Sequence, residues 1–184
     1  MARFSSLFFG LLVTVLVNAA PAPELTAASA ASLSPSNLLG EIIDALGVGL
    51  VTQINTTITL DSLTTNLVSV DVELQNPLPF ELTLDTVAST AGINGTVFAS
   101  FNHTFSTGIV VPPFGKAKTG VIDNVLLTQG AIASLAIIPL GFLDLLEIDT
   151  NIRALTIDGF LGIPLTISDL HQTNVSTLYT LDLS

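Results

Sequence analysis

The chain has no cysteine, no tryptophan, one tyrosine, one methionine and only four basic residues. Without cysteine there is no disulfide scaffold and no thiolate metal centre. Four bases against fifteen acids leave a formal net charge of −11. Such a chain cannot neutralise a phosphate backbone, so nucleic acid is excluded as a partner. Charged residues are scarce at 10%, while 49% are hydrophobic, which excludes disorder for the bulk of the chain. What is present is enough apolar material, over 184 residues, for one domain with a sizeable core.

The N-terminus reads as an export signal. Arg3 gives a positive start, and an apolar run covers residues 7–17. Val17-Asn18-Ala19 then offers permissive residues before Ala20-Pro21-Ala22-Pro23. Cleavage is expected between Ala19 and Ala20, making residues 1–19 a signal peptide. The run is shorter than the roughly 20 residues a membrane span needs. No integral span is expected in the mature chain either. The apolar run 131–143 is short, holds Pro139 and Gly141, and is closed by Asp144 and Glu147. The expected destination is extracellular. Four N-x-S/T sequons, at Asn55, Asn94, Asn102 and Asn174, fit that compartment as N-glycosylation sites.

Residues 20–33 are mostly Ala, Ser and Pro and read as a flexible linker. A short helix is expected over 34–49. Ser34 would cap it, Pro35 suits its first turn, and Leu38, Leu39, Ile42, Ile43 and Leu46 follow at helical spacing up to Gly47 and Gly49. From residue 50 to 184 the period becomes two. Ile54, Thr56 and Ile58 oppose Asn55, Thr57 and Thr59. Val68, Val70, Val72 and Leu74 oppose Ser69, Asp71, Glu73 and Gln75. Leu82 and Leu84 restart the alternation, Asn94-Gly95 marks a hairpin, and Val97, Ala99, Phe101, His103 and Phe105 share one side. Late strands are expected at 146–154, 155–158, 163–167 and 175–183. One further helix is expected after Thr128, with Ile132, Leu135 and Ala136 as its apolar stripe before Pro139. Many short strands with few helices imply a mainly β fold, an antiparallel sandwich.

The run Val70-Asp71-Val72-Glu73-Leu74-Gln75-Asn76-Pro77, followed by Phe80 and Leu82, resembles the strand–Asn–Pro signature of type 2 late-embryogenesis-abundant domains, which include the water-stress and hypersensitive-response domains. The segment Ile109-Val110-Val111-Pro112-Pro113-Phe114-Gly115-Lys116 and the stretch 119–127 are similar to that family's second half. The resemblance reaches secreted fungal domains of unknown function and covers roughly residues 50–184. Leu78 stands where the family commonly has another Asn. The resemblance implies a fibronectin-like or immunoglobulin-like β-sandwich with one or two short helices, and no catalytic residues. Asn76 and Pro77 read as a structural motif: Pro77 removes a ladder donor, and Asn76 can bond the local backbone.

Chemistry is sparse. His171 follows Ser168-Asp169-Leu170, but no nucleophile elbow accompanies it. No zinc-protease, phosphate-loop or dinucleotide motif occurs. Asp144, Glu147, Asp149 and Asp158 invite a glycosidase pair or a Ca²⁺ site. With Glu147, Asp149, Asn151 and Arg153 on one strand face, they read better as a solvated outer wall. Lys116 and Lys118 are expected in a loop. The expectation is therefore a secreted, glycosylated, non-enzymatic module without cofactor or metal. Its partner would be a protein or a cell-wall component. The alternative is a carrier of a lipid or other hydrophobic ligand, with the apolar segment 131–146 lining its cavity.

Overall fold

The computed structural model describes Ile42 and residues 49–182. The signal peptide with Ala19 and Ala20, the linker 20–33, and all of the helix 34–49 except Ile42 and Gly49 lie outside the described residues.

The alternating segments form seven strands: β1 Val51–Thr59, β2 Leu67–Gln75, β3 Leu82–Ile93, β4 Thr96–Val111, β5 Lys116–Leu127, β6 Phe142–Ala154 and β7 Ile163–Asp182. β2 shows the physical rule most plainly. Val68, Val70, Val72 and Leu74 are buried, while Ser69, Asp71 and Glu73 face outward. Each fully buried aliphatic side chain of this kind contributes about 1.5–3 kcal/mol by leaving water. Asn94 (φ 51°) and Gly95 (φ 78°) make the two-residue hairpin turn between β3 and β4, where both residues need positive φ.

The strands do not make a sandwich. They close into a barrel in the order β1-β2-β5-β4-β3-β6-β7, which corrects the fibronectin-like or immunoglobulin-like expectation. The physical reason is a long-range pairing that strand periodicity does not encode. β1 runs parallel to the last part of β7, from Gln53 beside Ser176 to Thr59 beside Asp182. The remaining ladders are antiparallel. β7 serves two neighbours in turn. Its first part pairs with β6, as far as Ser176 beside Phe142, and its last part leaves β6 for β1. Two irregularities bend it on the way, at Asp169 (φ 61°) and Asn174 (φ 57°). Extra residues of this kind curl a strand and increase its twist.

Carboxylates hold both bends. Asp149 Oδ1 accepts from the Asp169 amide at 3.0 Å, and Asp144 Oδ1 accepts from the Asn174 amide at 2.9 Å. The stretches 163–167 and 175–183, expected as separate strands, are thus parts of one strand running through His171 up to Asp182. The expected strand 155–158 is instead a turn closed by a bridge between Ile157 and Phe160. Lys116 and Lys118 lie on β5 rather than in a loop, beside Glu73 and Asp71 of β2.

The helix after Thr128 also differs. It is one α turn, Ala131–Ser134, continuing as a 3₁₀ segment, Leu135–Leu140. Its buried residues are Ala131, Ser134 and Ile137, while Ile132 is 78% exposed. A period of three, as 3₁₀ geometry dictates, replaces the expected stripe Ile132, Leu135 and Ala136. Thr128 does not cap it; its hydroxyl donates to the Val97 carbonyl, and Asn66 Oδ1 accepts from the Ala131 amide at 2.8 Å.

Candidate functional site: the barrel lumen

Closing the sheet turns its apolar face inward. The result is a lumen with a cavity of about 90 Å³. Ile54, Val70, Ile122, Val125, Leu145 and Ile148 are among its wall residues. Ile137 brings the 3₁₀ segment to the same cavity, so the segment 131–146 lines it in part. The wall is apolar inside, while its outer face mixes polar side chains with exposed Val121, Leu126, Leu178 and Leu181.

The wall is not equally tight all round. β6 and β7 pair along most of their length, whereas β4 and β5 pair only at Ala99–Leu127 and Ser100–Leu126. Away from those pairs Phe101, His103 and Phe105 lie half-buried on β4, with the His103 and Phe105 rings edge to face at 4.7 Å between centroids. Phe98 and Phe101 of β4 and Thr119 and Ile122 of β5 line the cavity on this side.

Hydroxyls in the lumen are mostly spent on the wall itself. Ser89 donates to the Glu147 carbonyl at 3.0 Å, Thr150 to Thr86 at 2.8 Å, and Ser134 to Gly130 at 2.9 Å. Thr119 donates to the Gly120 carbonyl and accepts from the Val72 amide. Tyr179 is different. It is the single tyrosine of the chain, and it lines the cavity beside its β1 register partner Thr56. Its buried hydroxyl has no hydrogen-bond partner among the described residues. Burial pushes its pKa up to about 12, so the hydroxyl stays protonated and remains a donor. The other buried side-chain atom in this condition is Asp71 Oδ1, on the outer wall, whose sister oxygen lies 3.9 Å from Lys118.

The residues singled out as chemical candidates are dispersed. Asp144 and Asp149 bond backbone amides of β7, Glu147 is exposed, and Asp158 sits in the turn between Ile157 and Phe160. His171 Nε2 lies 3.2 Å from Asp169 Oδ1, with both side chains mostly exposed on the outer wall. Ser168 is exposed beside them. Among the described residues, no three His, Cys, Asp or Glu are grouped to hold a metal ion. A second hollow, open and of about 380 Å³, lies on the outer wall among Thr57, Thr59, Asp61, Ser69 and Asp123. Ser69 there donates to Asp123 at 2.6 Å.

All four sequon asparagines lie away from the lumen. Asn94, Asn102 and Asn174 are exposed. Asn55 is half-buried on the outer face of β1, where its Oδ1 accepts from Gln53 Nε2 at 2.6 Å. Asn76 is wholly buried. Its side-chain amide donates to the carbonyls of Phe80, Val111 and Pro112, and its Oδ1 accepts from the Leu78 amide. It joins the β2–β3 turn to the β4–β5 turn, while Pro77 is exposed.

At this same end of the barrel a second built feature stands out. The loop between β6 and β7 exposes Ile157 (70%), Phe160 (74%) and Leu161 (81%), and the β4–β5 turn exposes Phe114 (70%). The loop is firmly held. Arg153 donates to the carbonyls of Gly159 and Leu161 and forms a two-pronged pair with Asp85, at 2.8 Å for each contact. Glu81 accepts from the Gly159 amide at 2.9 Å, which lowers its pKa from the usual carboxylate value. Gly159 (φ 76°) crosses so close to Val110 that an added Cβ would stand 2.7 Å from its side chain.

The lumen and its lone tyrosine were not signalled by any motif. The single Tyr among apolar strands was a usable signal, because a phenol on an inward face needs a partner. Among the described residues no helix is long and apolar enough to cross a membrane. Compared with known proteins, the chain matches no family model and no curated protein.

Proposed function

We propose that the protein is a secreted, glycosylated, non-enzymatic binding protein whose barrel lumen carries a compact hydrophobic ligand. The observation that carries this reading is the cavity of about 90 Å³, lined almost wholly by aliphatic and aromatic side chains in a closed barrel. Pockets for whole drug-sized ligands run to about 300–1,000 Å³, so the ligand is small rather than a complete lipid. Dry apolar cavities of comparable order take up molecules such as benzene.

The test is a thermal-shift titration with benzene. The protein should gain stability with benzene, and Ala91→Leu, which grows into the lumen, should abolish the gain. A wild-type protein indifferent to benzene would remove the proposal. Native mass spectrometry of secreted protein should find a small apolar companion. N-terminal sequencing should begin at Ala20, and N-glycanase should reduce the mass through Asn55, Asn94, Asn102 or Asn174.

A second reading, an interaction module for an extracellular partner, is favoured by the rigid apolar loop at the Asn76 end. Exposed large apolar clusters commonly mark contact sites, and a pre-held loop loses little freedom on docking. The loops at this end carry no sequon. A photo-crosslinker at Phe160 should capture one recurrent partner in secreting cultures, and one at Asp123 should not. Equal labelling from both positions would defeat the reading.

A further inference from the structure

Resting on the lumen as a ligand site, we propose that Tyr179 is its polar recognition residue. Its hydroxyl would donate to one neutral oxygen acceptor on an otherwise apolar ligand, such as a ketone, ester or ether. Three observations converge on this. The first is position: Tyr179 is on the part of β7 that has left β6 for β1, and its side chain lines the cavity. The second is availability. Ser89, Thr119, Ser134 and Thr150 already donate to backbone carbonyls, and of the remaining lining hydroxyls, those of Thr56 and Tyr179, only that of Tyr179 is a fully buried atom with no partner among the described residues. A buried donor without a partner is destabilising, and a bound acceptor removes that penalty. The third is charge. Lys116, Lys118 and Arg153 all pair with carboxylates of the outer wall, and none lines the cavity. A carboxylate ligand would stand in the apolar lumen without a counter-charge, which is costly. Free fatty acids are therefore disfavoured against neutral carbonyl compounds.

The experiment uses the full secreted chain and three ring probes of similar size: cyclohexanone, methylcyclohexane and cyclohexanecarboxylate. Because the chain has one tyrosine and no tryptophan, its ultraviolet emission reports Tyr179 alone. Cyclohexanone should bind and perturb that emission. Tyr179→Phe, followed by calorimetry, should weaken cyclohexanone about fivefold or more, as loss of one hydrogen bond implies. The same change should leave methylcyclohexane unaffected, and the carboxylate should not bind to either protein. If cyclohexanone binds equally to both proteins, or the carboxylate binds more tightly than the ketone, the role of Tyr179 is overturned while the lumen remains a ligand site. If neither cyclohexanone nor methylcyclohexane binds the wild type, the lumen reading falls and this inference falls with it. Tyr179→Phe keeps the ring and its packing, and circular dichroism verifies that the fold is retained.

Discussion

Asn76, wholly buried, and Tyr179, partly buried with a buried hydroxyl, belong to the same barrel, and their polar atoms are treated in opposite ways. Around Asn76 every polar atom of the side chain is engaged, three times as donor and once as acceptor. At Tyr179 the hydroxyl is left open. Removing the Asn76 amide takes a donor from three carbonyls, of which the Pro112 carbonyl keeps the Gly115 amide, whereas removing the Tyr179 hydroxyl relieves the interior of an unpaired group. The contrast separates polarity that builds the barrel end from polarity left unpaired at the lumen.

Several measurements can break or sharpen this contrast. The largest effect is expected from Asn76→Ala, which should cost about 3 kcal/mol or more in urea unfolding, because buried carbonyls lose their donor. A loss below about 1 kcal/mol would place Asn76 and Tyr179 in the same class. Arg153→Ala comes next. It breaks the Asp85 pair and frees two loop carbonyls, so a loss of about 1–2 kcal/mol is expected. Hydrogen exchange should speed at Gly159 and stay unchanged at β2.

Tyr179→Phe has the opposite sign. Without ligand it should stabilise the barrel by about 1 kcal/mol, read as a higher urea midpoint with an unchanged slope. A destabilised variant would mean that the hydroxyl already has a partner. The same residue gives a pH prediction. Its folded pKa, about 12, lies above the ordinary value of 10.0. Between those values only the unfolded phenol ionises, so the barrel keeps its full stability below pH 10 and loses some of it as pH rises towards 12. A spectrophotometric titration of the native protein should find the phenol ionising late, and one that ionises at its ordinary value would mean that it is solvated.

The smallest effect is expected at Lys116, whose ammonium lies 2.7 Å from Glu73 on the outer wall. Lys116, together with the Thr52 hydroxyl, lowers the Glu73 pKa. Lys116→Ala should move that carboxyl back up, as seen by NMR titration. Stability should hardly change, as for exposed pairs generally.

Much of the wall was legible in the sequence. The β2 alternation, the Asn94-Gly95 turn and the outward placement of Glu147, Asp149, Asn151 and Arg153 rest on local rules of pleat and turn geometry. β7 was legible only in pieces, because the bends at Asp169 and Asn174 change which side chains point inward, and so erase a constant period. The helix stripe failed for a similar reason, since a 3₁₀ repeat of three replaced one of 3.6. Asn76 was legible as a local strand stop, but its bonds to Val111 and Pro112 cross the fold. Tyr179 was legible only as the single tyrosine of the chain, inside the expected strand 175–183, and its inward face came with the barrel.

The sequence by itself determined which residues avoid water along regular strands such as β2, because side-chain chemistry and a period of two are local properties. It also determined that the domain is held without disulfides, having no cysteine to form them. Only the tertiary structure decided that β1 would find the last part of β7, with Gln53 beside Ser176. That pairing joins segments far apart in the chain, and it depends on the curl that two bulges give β7. It turns an open sheet into a barrel, and with the barrel come the lumen and the unpaired hydroxyl of Tyr179.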